Sequence, residues 1–194
     1  MGGSSFSRDD YKARRVSYAS MGTKDFHYDH DIRTGKTAAR VHDSLSPKGV
    51  KIREARDSEA HPVSVPIAVL FDTTGSMSAV PEMLQKDLCK LMGYFLDDKA
   101  SGKKYLGDGY PAIMVGAVDD YDAMYYTRMA GEGCLQVGQF ESGLEIDDNL
   151  GNMWLTGRGG GTYDESYQLG LYFMARHTAH DHMDKRNKKA TSLS

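Results

Sequence analysis

Hydrophobic residues are distributed very differently in the two parts of this chain. Across residues 1–62 they occur singly (Phe6, Tyr11, Val16, Tyr18, Met21, Phe26, Tyr28) among Ser, Asp, Lys and Arg, with no sustained period of 2.0 or 3.6. That pattern predicts a polar amino-terminal arm, disordered or extended, able to drape on a core but too sparse to build one. From residue 63 the pattern changes. Pro62 and Pro66 bracket Val63-Ser64-Val65, and Ile67-Ala68-Val69-Leu70-Phe71 is a continuous apolar run, which reads as a strand buried on both faces. The polar turn Asp72 to Ser78 follows, and Pro81 sits in the first turn of a predicted helix whose apolar positions Val80, Leu84, Leu88, Leu91 and Phe95 recur at three- and four-residue steps.

After glycines 102, 107 and 109, Pro111 to Val118 predicts a second buried strand, so the two strands and the helix between them form a βαβ unit with a parallel pair. An acidic and aromatic excursion spans 119–133. Leu135 to Glu141 predicts a third strand at an edge beside the second, and Asp147 to Leu155 a short helix. The glycine-rich stretch 157–161 leads into a helix expected from about Asp164 to Asp181, with Tyr163, Tyr167, Gly170, Leu171 and Met174 as its inner stripe. Residues 183–194 read as a polar tail. The predicted organisation is therefore an arm at 1–62, an α/β domain at 63–182 and the tail.

Composition narrows the classes. With 194 residues, 40% of them hydrophobic and 26% charged, the chain fits one domain with appendages and neither a collagen-like nor a wholly disordered protein. No run approaches the roughly 18 to 20 apolar residues of a spanning helix. The start, MGGSSFSRDDYKARR, has no apolar core of a signal peptide, so a cytoplasmic location is expected. Residues 1–60 hold 12 Lys and Arg against 9 Asp and Glu, and the remaining residues 12 against 18, which argues against a nucleic-acid-binding surface on the body. Cys89 and Cys134 lack the spacing of a zinc site and are read as packing residues. Thr34-Gly35-Lys36-Thr37 resembles the end of a P-loop, but His30 stands where its first glycine belongs.

The candidate chemistry is concentrated in Asp72, Thr74 and Ser76. One carboxylate and two hydroxyls on alternate residues, at the carboxyl end of a strand in an open α/β sheet, lie where ligand sites form. Hard oxygen donors suit Mg²⁺ or Mn²⁺, and so few carboxylates leave a coordination position open, which a carboxylate from another molecule can fill. The plainer reading is a helix N-cap, in which such oxygens satisfy backbone donors. Asp119, Asp120 and Asp122, after the second strand, are candidates for an auxiliary cation site. Histidines 177, 180 and 182 with Asp181 and Asp184, and the group His27, Asp29, His30 and Asp31, have metal-ligating chemistry but read better as a fraying helix end and as arm residues.

The stretch Val69-Leu70-Phe71-Asp72-Thr73-Thr74-Gly75-Ser76-Met77-Ser78 resembles the D-x-[ST]-x-S motif of the metal-ion-dependent adhesion site in von Willebrand factor type A (VWA) domains. Gly159-Gly160-Gly161-Thr162 resembles the family's second motif, and Thr162-Tyr163-Asp164-Glu165-Ser166-Tyr167 is similar to the helix opening of cytoplasmic bacterial and phage members. The resemblance spans about residues 63–182. It implies a Rossmann-like three-layer α/β sandwich with a mostly parallel sheet, a metal held by Asp72, Thr74, Ser76 and Thr162, and a non-enzymatic, cation-dependent protein-binding module. The implied partner presents an acidic residue; by family analogy it is an AAA-type ATPase or a multi-subunit assembly. The family's third motif, an aspartate ending a strand after the Thr162 helix, has no counterpart in the sequence, so the expected domain is truncated after that helix or completed by another chain. Two other readings stand beside this one. The first is a structural or assembly protein with a vestigial metal site. The second is phosphotransfer through an aspartyl-phosphate at Asp72, resembling the D-K-T-G-T loop of P-type ATPases, although Thr73 replaces the lysine.

Overall fold

A computed structural model describes residues 4–73, 79–97, 99–120, 133–157 and 166–187. In chain order its elements are α1 (Arg8–Met21), α2 (His27–Arg33), a 3₁₀ turn (Asp43–Leu45), β1 (Arg53–Ala55), β2 (Ser64–Asp72), α3 (Ala79–Leu96) and α4 (Lys103–Leu106). These are followed by β3 (Tyr110–Val118), β4 (Leu135–Val137), α5 (Glu145–Gly151), α6 (Tyr167–Arg176), β5 (Thr178–His180) and α7 (Asp181–Asp184). The predicted βαβ unit is present: β2 and β3 pair in parallel over nine residues, from Ser64 opposite Tyr110 to Asp72 opposite Val118. β4 adds antiparallel to β3, giving the order β2-β3-β4. The fold is α/β, with one mixed three-stranded sheet and a parallel pair, β1 with β5, beside it.

The prolines fit this topology. Val63 O accepts from Tyr110 N–H and Thr73 N–H donates to Val118 O, so the odd-numbered residues of β2 turn their backbone groups toward β3. Pro66 is even-numbered, and its missing N–H costs no ladder bond. On β3 the odd positions face β4, and Pro111 lies ahead of the first contact there, Ile113 with Glu141.

Side chains of both sheet faces are buried. The odd-numbered face (Ile67, Val69, Phe71, Ile113, Val115, Ala117) packs on Leu88 and Met92 of α3 and Ile146 and Leu150 of α5. The even-numbered face carries Ala112 and Met114, in a cluster with Ala55, Phe140 and Met174 of α6. Because β2 is the outer strand, it is only half-buried, and Ala68 is exposed; the fully buried strand is β3. The expectation of two buried strands is corrected in that respect.

Residues 1–62 depart from the reading of a disordered or extended arm. Ser7 caps α1 by accepting from Asp10 N–H, and Gly22, at φ 69°, ends it in the left-handed conformation that suits glycine. The singly spaced Phe6, Tyr11, Phe26, Val41 and Leu45 all insert into the main core. Their spacing showed no helical period because each element contributes only one or two of them. The third strand is also shorter than expected, and the short helix runs Glu145–Gly151 rather than Asp147–Leu155. The last long helix ends at Arg176, because Thr178 to His180 pair with Arg53 to Ala55 as β5. Its buried face is Gly170 and Phe173, with Met174 half-buried; Tyr167 and Leu171 of the expected stripe are exposed, and Tyr163 lies outside the described residues.

Arg56 and Asp57 join this carboxyl-terminal region to the segment before β2. Arg56 pairs with Asp181 at 2.9 Å and Asp184 at 2.6 Å, and Asp57 with Arg186 at 2.9 Å. Asp184 to Arg186 therefore belong to the fold rather than to a tail. Lys185, the Asp57 N–H and Arg56 hold the Asp181 carboxyl well below the usual carboxylate range. Among the described residues, no helix is long and apolar enough to cross a membrane.

The arm is fixed to α3 and α5 around Gln85. This buried side chain accepts from Phe26 N–H at 3.2 Å and donates to Asp147 Oδ1 at 3.3 Å, while Gln85 O accepts the Tyr11 hydroxyl at 2.5 Å. Phe26 has φ 50°, unusual for a bulky residue, and the Gln85 bond helps hold it there. Asp147 is buried, its Oδ2 has no hydrogen-bond partner among the described residues, and Arg14 approaches only to 3.7 Å. Burial raises its pKa, against a smaller lowering by Gln85. A raised folded-state pKa means that the native state holds this proton more tightly than the unfolded chain. Its contribution to stability is complete below the unfolded value and is lost as pH rises through the folded one. Asp147→Asn keeps the Gln85 contact and removes the charge. It is expected to flatten the fall in stability between mildly acidic and neutral pH and to raise stability at pH 7 by about 1 kcal/mol, measured by urea unfolding across that range.

Candidate metal centre

The register of β2 and β3 brings their carboxyl ends together. Asp72 is the last residue of β2, it lies opposite Val118, the last of β3, and Asp119 and Asp120 follow directly. Thr73 is buried between them; its N–H donates to Val118 O at 3.1 Å and its hydroxyl to the same oxygen at 3.3 Å. Asp119 is fully buried and accepts from the Thr156 hydroxyl and, at 2.7 Å, from Asp120 N–H.

Two later segments reach the same edge. Gly157 N–H donates to Thr73 O at 3.1 Å. Residues 154–157 are held there from behind: the Gln136 side chain makes two hydrogen bonds to the Trp154 backbone, Leu155 N–H donates to Asp29, and Arg33 donates to Leu155 O. From α6, the Tyr167 hydroxyl donates to Asp72 Oδ2 at 3.4 Å. Gly170 permits this approach, since a Cβ there would lie 2.7 Å from Leu70 Cδ1 and 3.2 Å from Val118 Cγ2. The residues on either side of 158–165 thus both contact the end of β2, Gly157 through Thr73 and Tyr167 through Asp72.

Of the residues proposed from sequence, Asp72, Asp119 and Asp120 lie at this edge. Thr74, Ser76, Thr162 and Asp122 lie outside the described residues. Among the described residues, no group of three or more His, Cys, Asp or Glu side chains is arranged to hold a metal ion.

The expectation that no strand follows the Thr162 helix is corrected: β5 follows α6, and Asp181 comes immediately after it. It does not supply the missing aspartate. Asp181 is engaged by Arg56, Lys185 and Asp57 N–H. Arg186, beside it, donates to Ser64 O at the amino end of β2. The eight residue steps from Ser64 to Asp72 span about 26 Å, so Asp181 and Asp72 are at opposite ends of the strand.

Members of both histidine groups have structural roles. His177 hydrogen-bonds to Lys51 O through Nδ1 and stacks on Phe173, and His180 caps α7 by accepting from Met183 N–H. His27 packs on Gly151, and Asp29 binds Arg33 and Leu155 N–H. Cys134 is buried, Cys89 half-buried, and they form no disulfide. Thr156, Gly157 and the Tyr167 hydroxyl were not legible as site residues. Thr156 and Gly157 belong to no motif, and helical periodicity assigned Tyr167 to the interior.

Removing the Thr156 hydroxyl leaves a buried carboxylate oxygen short of one donor, which costs about 1–3 kcal/mol. Thr156→Val is expected to lower the urea midpoint accordingly, and Thr156→Ser, which restores the donor, to recover most of the loss.

No family model, curated protein or solved structure matches this chain, so the reading of the site rests on its own residues and geometry.

Proposed function

We propose that the chain is a non-enzymatic protein-binding module that works through a divalent cation, in a VWA-like α/β domain. Asp72, Thr74, Ser76 and Thr162 hold Mg²⁺ or Mn²⁺, and an acidic residue of a protein partner completes the coordination. The observation that carries this reading is the convergence on the end of β2. Asp72 closes the strand, Thr73 receives Gly157, and the Tyr167 hydroxyl reaches Asp72, so the described residues on both sides of 158–165 lie beside Asp72 and Thr73, where the D-x-T-x-S motif begins. The donor chemistry suits a hard cation, since all four groups are oxygen ligands, one carboxylate and three hydroxyls. Asp119 and Asp120 add negative charge at the same edge and, together with Asp122, are the candidates for an auxiliary cation site. The acidic body disfavours nucleic acid as the partner.

A second reading, a structural or assembly protein with a vestigial site, is favoured by one specific observation: Asp181, the aspartate that follows the last strand, is spent on Arg56 and Lys185 at the far end of β2. Thermal unfolding in Mg²⁺, in Mn²⁺ and in chelator, with wild type and Asp72→Ala, separates the two. At about a hundred times its dissociation constant, a native-state ligand stabilises by roughly 2.7 kcal/mol. For a chain of this size that is a rise in Tm of about 5–10 °C. The metal-dependent reading expects this rise in wild type and its loss in Asp72→Ala. A cooperative transition that no cation moves would leave the scaffold reading.

A further inference from the structure

We infer that the outer edge of β2 is a self-association surface, on which a second copy of this chain pairs its own β2 antiparallel about a two-fold axis. The backbone parity of the strand is fixed by Val63 and Thr73, which bond to β3. Even-numbered residues therefore point their N–H and C=O groups away from the sheet. At the start of the strand these groups are occupied: Ser64 N–H donates to Asp57, and Ser64 O accepts from Arg186. Pro66 has no N–H. At Ala68 and Leu70, no described residue receives the outward groups, and Ala68 is exposed. Such an edge is a template for another strand.

Two features select a second copy as that strand. The first is register. Setting Ala68 of each copy opposite Leu70 of the other satisfies the outward donors and acceptors of both residues, puts Pro66 opposite Asp72 at the end of the paired stretch, where it accepts but does not donate, and seats the larger side chain beside the smaller one. The second is the helix on the same face. Gly170 of α6 sits against both Leu70 and Val118, which places that turn of α6 over the gap between β2 and β3. With strands about 4.8 Å apart, the two-fold axis lies about 2.4 Å outside β2, and the two α6 helices come to about 10 Å from each other at Gly170, a normal packing distance. The side chains brought between them include Leu171, 61% exposed in the single chain, and Tyr167, 47% exposed. A foreign strand would complete the ladder but would leave Leu171 uncovered.

The test is sedimentation equilibrium of the full chain over a dilution series, paired with amide exchange. Wild type is expected at twice the 21.5 kDa chain mass, dissociating on dilution. Ala68→Pro removes only an outward N–H, and Leu171→Glu charges the helix contact. Each is expected to give a monomer that keeps the wild-type circular dichroism. If Ala68→Pro fails to fold, Leu171→Glu and the exchange data decide. In wild type, the amides of Ala68 and Leu70 should become more protected as concentration rises, while those of Ile67 and Val69, already in the ladder, should not change. A chain that stays monomeric at the highest concentration, edge amides that remain unprotected, or a dimer that survives Leu171→Glu with those amides unprotected would overturn the proposal.

Discussion

The parallel pairing of β2 with β3 is the constraint on which the rest of the structure depends. A parallel pair cannot be closed by a tight turn, so the chain must cross over, and α3 and α4 are that crossover. The pairing also aligns both strands in one direction, which places Asp72, Val118 and Asp119 at one edge rather than at opposite ends. Described residues that reach this edge later come to positions that the pairing fixed: Gly157 to the Thr73 backbone, and Tyr167 to the Asp72 carboxylate. A one-residue slip would turn Asp72 to the other face and place Ile67, Val69 and Phe71 away from α3 and α5.

A sheet of three strands has little apolar surface of its own, and residues 1–62 make up part of the difference. Phe6, Tyr11, Phe26, Val41 and Leu45 lie in the same cluster as the odd-numbered face of the sheet. They are held by directional bonds as well as by burial. Gln85 accepts from the backbone of Phe26 and donates to one oxygen of the Asp147 carboxylate at once, and Tyr11, whose phenol burial pushes up to about 12, donates to the Gln85 carbonyl. The arm also supports the candidate centre at one remove, because Asp29 and Arg33 of α2 hold Leu155, two residues before Gly157. The boundary at residue 62 is therefore a change in sequence pattern that the hydrophobic core does not follow.

What the sequence revealed and what it hid follow one physical division. Continuous apolar runs of strand length, such as 67–71 and 111–118, signal local structure directly, and both are strands. Periodicity gave α3 but mis-rotated α6: Tyr167 and Leu171 are apolar enough to belong to a buried stripe, yet the contact with Leu70 and Val118 falls to Gly170, which carries no hydropathy signal. β1 and β5 were invisible because three-residue strands have no pattern. They exist through pairing across the length of the chain, with Arg56 and Asp181 tying them together. At the candidate centre, Asp72 was legible from its place after an apolar run and before a helix. Thr156 was not, because its part depends on Gln136 and Asp29 presenting residues 154–157 to the sheet edge.

The outer position of β2 links the geometry of the candidate centre to that of the exposed edge. Among the described residues β2 has a ladder on one side, with β3, and contacts out of the sheet plane add to the placement of Asp72. α6 supplies them: Gly170 presses against Leu70, two residues before Asp72, and the Tyr167 hydroxyl reaches the carboxylate itself. A side chain at residue 170 would lift the helix from Leu70 and Val118 and withdraw that hydroxyl in the same movement. The close docking of α6 brings the Tyr167 hydroxyl to Asp72 from one face of the sheet, while Leu171, next to Gly170, stays exposed. The arrangement that steadies the carboxylate is thus also the one that leaves Leu171 exposed on the helix covering β2, whose outward groups at Ala68 and Leu70 no described residue receives.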